Sequence, residues 1–205
     1  HTEGWILFRA THQIQSWFQE KQIPTTINGW AHPGVILPTV RLDFQDACRH
    51  AAYQFLERGH ENLAFITPLK RIATEEECVQ SFLAVHEERR DARFSLIEHD
   101  RSMPSIIKEI LSSRLGREPV TAFLVMEPLM SITALTILQS SGIAVPEQAS
   151  IISRFGDSMM HRVHPSIAHY QFNAKNHGRL VVKVLLSSID RGNSFNATNH
   201  HGVAF

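Results

Sequence analysis

Cysteine and net charge are both scarce in this chain. Two cysteines, Cys48 and Cys78, occur among 205 residues, and they fall in separate predicted helices without the spacing of a metal site. This pattern favours reduced, buried thiols in the cytoplasm over a disulfide framework. Twenty Lys and Arg residues balance twenty Asp and Glu residues, so no general attraction to the nucleic-acid backbone is expected. Any DNA contact is therefore expected to lie outside this chain.

Long apolar runs and targeting signals are missing as well. No run approaches the ~18 apolar residues that span a bilayer. The first residues, His-Thr-Glu-Gly, contain no basic segment followed by an apolar one. Membrane insertion and secretion are therefore unsupported, and we expect a cytoplasmic protein. Because no repeat, charge block or low-complexity segment occurs either, a compact globular protein is expected.

Signatures of enzymes and metal sites are also absent. Gly-x-Ser-x-Gly, Gly-x-x-x-x-Gly-Lys and Gly-x-Gly-x-x-Gly do not occur, so neither hydrolase nor nucleotide-cofactor chemistry has a local motif. Three consecutive carboxylates, Glu75 to Glu77, point in different directions on a helix and are predicted to be a solvated helix start. The pairs His161 with His164 and His200 with His201 lack the acidic or cysteine partners of a metal site. We predict no enzymatic activity, no cofactor and no metal.

What is present is an alternation of short apolar runs with longer helical patterns. This order is typical of parallel strands joined by crossover helices. The run from Val120 to Met126 is continuously apolar, which is typical of a strand buried on both faces of a sheet. Residues 192–201 are predicted to form a polar surface loop. The predicted strands are 5–8, 25–27, 40–42, 63–66, 93–97, 120–126, 150–152 and 167–172, and the predicted helices are 13–21, 47–56, 74–88, 105–113, 129–140 and 178–189.

The ends of the helices carry recognisable residues. Gly59 and Gly142 each follow a predicted helix and are expected to adopt the left-handed conformation that ends it. His60 is predicted to be a structural residue at a helix end, where it complements exposed carbonyls. Thr74, with Glu77 three residues later, matches a capping box.

Two stretches carry a resemblance to a known family. Residues 43–67, DFQDACRHAAYQFLERGHENLAFIT, contain an acidic residue, a helix that ends in Gly-His, and a strand. Residues 119–153, PVTAFLVMEPLMSITALTILQSSGIAVPEQASIIS, contain a strand, an acidic turn, a helix, Gly-Ile-x-Val-Pro and a strand. In this order they resemble LacI/GalR-type transcriptional regulators, and a third, weaker likeness runs from Pro165 to Gly178.

The resemblance implies an α/β fold of the periplasmic-binding-protein-like type I. Two Rossmann-like subdomains, with parallel sheets flanked by helices, would hold an effector in the cleft between them. Residues 1–67 would form the N-terminal subdomain and residues 68–168 the C-terminal subdomain. Residues 169–192 would cross back to the N-terminal subdomain, and residues 193–205 would return to the C-terminal one.

In the same alignment, residues 3–8 correspond to an interior strand of the first subdomain. Two strand-helix units and the DNA-binding head would then precede this strand. A sheet without those units exposes core surface and an unprotected edge. We therefore predict that the native polypeptide is longer than these 205 residues, which an intact-mass measurement would test.

The resemblance also implies positions for the effector site. In these regulators an arginine early in the second subdomain, a polar or acidic residue after the next strand, and an acid after the strand that follows Val-Pro hold effector hydroxyls. The first position matches Cys78, the second matches Met126 or Glu127, and the third matches Phe155 or, with a small shift, Asp157. The residue types differ from those of the family at each position, which weakens the case for a simple sugar.

Other candidates follow from their places at strand and helix ends. Arg154 offers a planar fork of donors to a carboxylate, a phosphate or a pair of hydroxyls, and a structural ion pair is the alternative for both Arg154 and Asp157. Asp46 matches a family position facing the cleft, although an acid at a helix start would also interact with the macrodipole. Arg9 and Trp30 lie where open α/β sheets bind ligands. Trp30 would stack on a sugar ring or nucleobase, and its alternative is a half-buried residue covering the core. The predicted effector-binding residues are Arg9, Trp30, Asp46, Cys78, Glu127, Arg154, Phe155 and Asp157.

The resemblance implies a cytoplasmic effector-binding domain of a transcriptional regulator. A small metabolite, a sugar or sugar derivative, would close the cleft and reorient two subunits with their DNA-reading heads. The partners implied are this effector, operator DNA through a head absent from this chain, and a second subunit in a homodimer. The head would be a helix-turn-helix or, less often, a winged helix. A solute-binding protein of a transporter shares the fold and is the first alternative, and an α/β enzyme acting on a sugar or nucleotide is the second.

Overall fold

The structure is a computed structural model that describes residues 3–156, 159–171, 173–191 and 200–202. Strands and helices alternate through most of the chain, as the sequence pattern predicts. The strands are β1 (Trp5–Phe8), β2 (Thr25–Asn28), β3 (Thr39–Leu42), β4 (Asn62–Pro68), β5 (Arg93–His99), β6 (Ala122–Val125), β7 (Ser150–Ser153), β8 (Ala168–His169) and β9 (His200–Gly202). The helices are α1 (His12–Glu20), α2 (Phe44–Glu57), α3 (Ala73–Glu88), α4 (Met103–Ser112), α5 (Pro128–Ser140) and α6 (Ala174–Arg191).

The chain divides into two compact units. Residues 1–43 with 172–205 form the first unit, and residues 44–171 form the second. The sequence places the first boundary after residue 67, but β4 pairs with β5 and β6 and so belongs to the second unit. Residues 193–205 are predicted to return to the second unit, whereas β9 pairs with β3 of the first. The unit boundaries predicted from the sequence differ from those of the structure because strand pairing decides them. Strand pairing depends on residues far apart in the sequence and is not visible in a local pattern.

The second unit contains a parallel sheet in the order β5-β4-β6-β7-β8. Successive side chains of its central strands point to opposite faces, and both faces are covered. Phe65 and Leu124 lie in the cluster formed with α2 and α3, whereas Ile66 and Val125 lie in the cluster formed with α4 and α5. The apolar run around β6 therefore reflects a strand with no solvent-facing position.

The first unit contains a parallel sheet in the order β1-β2-β3-β9. Helix α6 packs against β2 and β3, where Val40 meets Val181 and Val184. A separate small cluster joins Phe18 of α1 to Ile27 of β2. The cores of this unit are thus smaller than the two clusters of the second unit.

Strand β1 lies at one end of the first sheet and is poorly covered. Leu7 is buried, whereas Trp5, Ile6 and Phe8 are 46%, 44% and 70% exposed. The exposed apolar edge predicted from the sequence is therefore present. At the opposite end, His200 lies in β9 and not in the predicted polar loop, while residues 192–199 of that loop lie outside the described residues.

The helix ends agree with the predictions in two of three cases. Gly59 and Gly142 have φ values of 82° and 76°, which is the left-handed region that glycine adopts without strain. The capping box predicted at Thr74 is wrong, because the cap of α3 is Ile72 and Thr74 lies inside the helix. Instead, the backbone N–H of Ile72 donates to the Glu75 carboxylate at 3.1 Å.

His60 is structural, as predicted, through partners that the sequence did not indicate. Its Nδ1 lies 2.9 Å from the hydroxyl of Thr121 and its Nε2 lies 2.9 Å from the hydroxyl of Ser150. Burial lowers the pKa of His60, which favours a neutral ring. His60, three residues after the end of α2, thereby joins this turn to the beginnings of β6 and β7.

In the part of the chain that the structure describes, no helix has the length and apolarity to cross a membrane.

Candidate functional site

The carboxyl ends of β4, β6 and β7 lie at one edge of the second sheet, because these strands are parallel neighbours. Open α/β sheets bind ligands at this edge. The chain leaves β6 through Met126 and Glu127, and it leaves β7 through Arg154 and Phe155. The parallel topology therefore gathers side chains that are far apart in the sequence.

Arg154 connects several elements of this edge. Its Nε donates to the backbone oxygen of Met126 at 3.2 Å, and its Nη1 lies 3.3 Å from Sγ of Cys78. Its guanidinium carbon lies 4.4 Å from the centre of the Phe44 ring, which is a cation–π distance. Among the residues that the structure describes, no carboxylate forms a salt bridge with Arg154. Its contacts in that part of the chain are thus a carbonyl, a sulfur and an aromatic face.

Arg71, in the same unit, is an arginine held by ion pairs with carboxylates. Its Nε and Nη1 lie 2.8 Å from Glu76 and 2.6 Å from Glu98, and its Nη1 also donates to the Pro68 carbonyl at 3.1 Å. The bonds to Glu98 and Glu76 raise the pKa of Arg71. Arg71 thereby joins the ends of β4 and β5 to the start of α3. Arg154 differs because its described polar partners include no carboxylate.

Cys78 is almost completely buried beneath Arg154, with 1% of its surface exposed. A hydrogen bond with Cys48 is the main cause that lowers the pKa of Cys78 to about 7, and the Arg154 guanidinium acts in the same direction against the effect of burial. Both cysteines are free thiols. The lowered pKa favours the thiolate of Cys78, and a thiolate there would be a negative partner for Arg154.

Two aromatic residues complete this edge. Phe44 begins α2, and its ring meets that of Phe155 edge to face at a centroid distance of 6.1 Å. Both side chains are half-buried. The ring of Phe44 also lies against the Arg154 guanidinium, so one side of this guanidinium faces an apolar surface. Such a setting strengthens its interaction with a negative or strongly polar group.

Glu127 and Asp46 are held by neighbouring arginines. Oε1 of Glu127 lies 2.9 Å from Nη2 of Arg101. Oδ1 of Asp46 lies 2.7 Å from Nη2 of Arg49, three residues later on α2. Asp46 also lies in the first turn of its helix. Its alternative as a helix-start acid therefore explains Asp46 without a ligand.

The carboxyl edge of the first sheet carries Arg9 and Trp30. Arg9 directly follows β1, is exposed, and has a φ of 52°, which a non-glycine residue rarely adopts. The guanidinium carbon of Arg41 lies 3.8 Å from the centre of the Trp30 ring. The predicted stacking of a ligand on Trp30 therefore competes with a cation already on that ring.

His177 of α6 reaches the end of β2 in the same unit. Its Nε2 lies 2.9 Å from Oδ1 of Asn28. Burial lowers the pKa of His177, so the neutral ring donates from Nε2 to the amide oxygen. This bond fixes the Asn28 side chain at the strand end, immediately before the turn that leads to Trp30.

Comparison with known proteins identifies the family. A family model described as a periplasmic binding protein-like domain matches residues 52–201. The chain belongs to this family. The match covers the second unit almost completely and extends into the first. The sequence predicts a periplasmic-binding-protein-like α/β fold with parallel sheets for this chain. The family match and the sheet topology confirm this fold class.

Relatives of this periplasmic binding protein-like domain include regulators. The HTH-type transcriptional repressor PurR of Aliivibrio fischeri is 24% identical over 176 residues, which are 82% of this chain and 51% of the relative. A LacI family regulator from Bifidobacterium animalis superimposes with a TM-score of 0.79 at 21% identity, covering 98% of this chain and 74% of the other. A LacI family regulator from Enterococcus faecalis, solved with bound ribose, superimposes with a TM-score of 0.75 at 18% identity. This superposition covers 98% of this chain and 74% of the other. The LacI-type resemblance is confirmed, and the chain spans about half the length of the curated relative.

The predicted site residues of this periplasmic binding protein-like domain fall into three groups. The structure brings Cys78, Arg154 and Phe155 together around Phe44. Arg9 and Trp30 lie in the first unit, whereas Asp46 and Glu127 form ion pairs with Arg49 and Arg101. Asp157 lies outside the described residues. Among the residues that are described, no group of three or more His, Cys, Asp or Glu side chains is arranged to hold a metal ion.

Sequence reasoning missed four side chains that contact candidate residues or their neighbours within each unit. Phe44 and Arg41 face Arg154 and Trp30, Arg101 pairs with Glu127, and His177 holds Asn28. Phe44, Arg101 and His177 are each more than 25 residues away in sequence from the side chain that they contact. No local sequence pattern could therefore reveal these three contacts. Arg41 offered a signal, since it lies next to the last residue of β3, as Arg9 lies next to the last residue of β1. Arg101 follows a strand end in the same way, with a φ of 70°.

Proposed function

We propose that this chain is the effector-binding domain of a LacI-type transcriptional regulator. It binds a small polar metabolite, a sugar or sugar derivative, and the bound metabolite alters the DNA affinity of a head that lies outside this chain. The regulator acts in the cytoplasm as a homodimer, since twofold symmetry matches paired operator half-sites. Family membership, the PurR relative and the ribose-bound neighbour support this proposal.

The observation that carries the proposal is the environment of Arg154. Its guanidinium lies at the carboxyl edge of a parallel sheet, between an aromatic ring and the polar atoms of Cys78 and Met126. No carboxylate among the described residues neutralises it. A planar fork of donors in this setting suits an acidic group or a pair of hydroxyls on the effector. A sugar acid or sugar phosphate fits this better than an unmodified sugar.

The test begins with the metabolite that the protein carries. Mass spectrometry of small molecules released from the purified protein identifies candidates, and thermal-shift titration with ribose, sugar acids and sugar phosphates ranks them. We expect Arg154→Ala to weaken binding of the best ligand at least about tenfold, because a charge-assisted hydrogen bond is lost. Arg117→Ala, an exposed arginine on a different loop, is the matched control. Equal affinities in the two variants would remove Arg154 from the site.

The regulatory part of the proposal has a separate test. A helix-turn-helix or winged helix encoded in the same polypeptide predicts ligand-dependent binding to its own promoter region in an electrophoretic mobility-shift assay. A secretory signal in that polypeptide would instead support the solute-binding alternative. Turnover of the bound metabolite would overturn both binding functions.

A further inference from the structure

A cavity lies in the second unit beside α2 and the edge of the sheet that β7 and β8 form. It has a volume of about 520 Å³ and is lined by the second half of α2, by β7 and β8, and by the segments before them. We name it the α2–β7 cavity. Phe44, Cys78 and Arg154 are not among the residues that line it. Its volume lies within the roughly 300 to 1,000 Å³ of small-molecule sites.

The wall of the α2–β7 cavity is mainly apolar. Phe55, Ile151 and Ile167 are themselves buried in the fold, and Leu135 and Val145 extend the apolar surface. A wall of this kind stabilises an occupant by removing its apolar surface from water. The occupant is therefore expected to have an apolar body.

The polar groups of the same wall are basic or neutral. Arg58, His50, His169 and Tyr170 line the cavity, whereas no Asp or Glu among the described residues does so. Glu147 lines a neighbouring depression instead. This distribution favours an occupant that carries a negative charge.

Three hydrogen bonds orient these polar groups. Nη1 of Arg58 donates to the backbone oxygen of Gln54 at 2.8 Å and to its side-chain oxygen at 2.7 Å. The hydroxyl of Tyr170 lies 2.6 Å from Nδ1 of His50. Burial raises the pKa of Tyr170, so the hydroxyl stays protonated and donates to Nδ1. Nδ1 of His50 accepts this hydrogen bond, which leaves Nε2 as the donor nitrogen of the ring.

We infer that the α2–β7 cavity binds an organic acid with an apolar body, such as an arylalkyl carboxylate. The body lies against Phe55, Ile151 and Ile167, and the carboxylate is held at Arg58. This ligand differs from the polar effector proposed above, and its site shares none of the residues around Arg154. The protein would thus respond to two classes of small molecule.

The experiment compares an acid with its neutral amide on the same protein. Isothermal titration calorimetry with 4-phenylbutyrate and 4-phenylbutyramide measures both affinities directly. We expect the acid to bind and the amide to bind about fivefold more weakly, which is the size of a partly exposed ion pair. Arg58→Gln should lower the affinity for the acid to that of the amide and leave the amide unaffected. Because Arg58 is exposed, the variant should keep the thermal stability of the native protein.

Arg117→Gln is the control, since it removes the same charge from an exposed position that does not line the cavity. Equal binding of acid and amide would overturn the inference, as would the absence of binding by either compound at 10 mM, roughly the weak end of measurable affinities. Loss of acid binding in Arg154→Ala but not in Arg58→Gln would place the acid in the effector site and also overturn it. That last result would leave the proposed regulatory function intact.

Discussion

At the scale of single residues, Arg154 and Cys78 form a pair whose chemistry depends on their surroundings. A thiol ordinarily titrates well above neutrality, but here Cys48 and Arg154 lower the pKa of Cys78 to about 7. The resemblance to LacI/GalR-type regulators implies an arginine at the position of Cys78, whereas here the guanidinium beside Cys78 belongs to Arg154, which follows β7. The guanidinium is therefore supplied from a different element to the same edge of the sheet.

We predict that Arg154→Gln moves the titration of Cys78 to higher pH. The guanidinium favours the thiolate, so removing its charge raises the pKa of Cys78. Absorbance of the thiolate at 240 nm, followed from pH 5 to 10 with Cys78→Ala as the blank, measures the shift. Arg117→Gln serves as the control. An unchanged midpoint in Arg154→Gln would show that the 3.3 Å contact with Cys78 does not influence its ionisation.

The same group makes stability depend on pH. The folded pKa of about 7 lies below the usual value of 9.0, so the unfolded chain binds more protons between these values. The contribution of Cys78 is therefore fully present above pH 9 and is lost as the pH falls through 7. The free energy of unfolding should rise between pH 7 and 9 by roughly 2 kcal/mol. Urea titrations of the native protein should show this rise, and Cys78→Ala should lack it.

At the scale of elements, backbone conformation explains where the helices stop. Gly59 ends α2 in a left-handed conformation, and the chain then turns directly into β4. A Cβ built at Gly59 would meet no atom within 4 Å. The requirement for glycine at this position is therefore conformational and not steric.

The matched substitutions Gly59→Ala and Gly178→Ala should change stability in opposite directions. Gly59 has a φ of 82°, so alanine there should cost about 1 kcal/mol. Gly178 lies inside α6 with open space around its Cβ position, so alanine there should stabilise the helix by about 0.5 to 1 kcal/mol. Urea unfolding followed by circular dichroism measures both changes. The same sign for both variants would contradict this explanation of the helix end.

At the scale of the whole molecule, the two units differ in how their sheets are covered. In the second unit, β6 lies between β4 and β7 and its four residues are completely buried. In the first unit, β1 lies at the end of its sheet and leaves three of its four side chains largely exposed. Local stability is therefore expected to vary strongly along the chain.

Hydrogen–deuterium exchange should reveal this difference. Amides of β4 and β6 are expected to exchange most slowly, because both strands are paired on both sides and covered on both faces. Amides of β1 should exchange faster by at least about a hundredfold, which corresponds to roughly 3 kcal/mol in opening free energy. Mass spectrometry of peptic fragments resolves the two regions. Equal protection of β1 and β6 would indicate that another surface covers β1 in solution.

The sequence alone determined the order of strands and helices and the family. Period-two and period-3.6 patterns, the glycines at 59 and 142, and the apolar run at residues 120–126 are local properties, because they reflect burial and backbone conformation of neighbouring residues. The fold class followed from their alternation. The positions of Cys78 and Arg154 relative to the family resemblance make both residues candidates for the effector site. The contact between them is not visible in the sequence.

The tertiary structure decided which strands pair and which side chains meet. The unit boundary lies at residue 43 and not 67 because β4 pairs with β5 and β6. These two partner strands follow β4 by about 30 and about 60 residues in the sequence. Asp46 turned out to have a local partner, whereas Phe44 joined Arg154 across 110 residues. Such contacts depend on how parallel strands align their carboxyl ends, and no pattern within one element encodes that alignment.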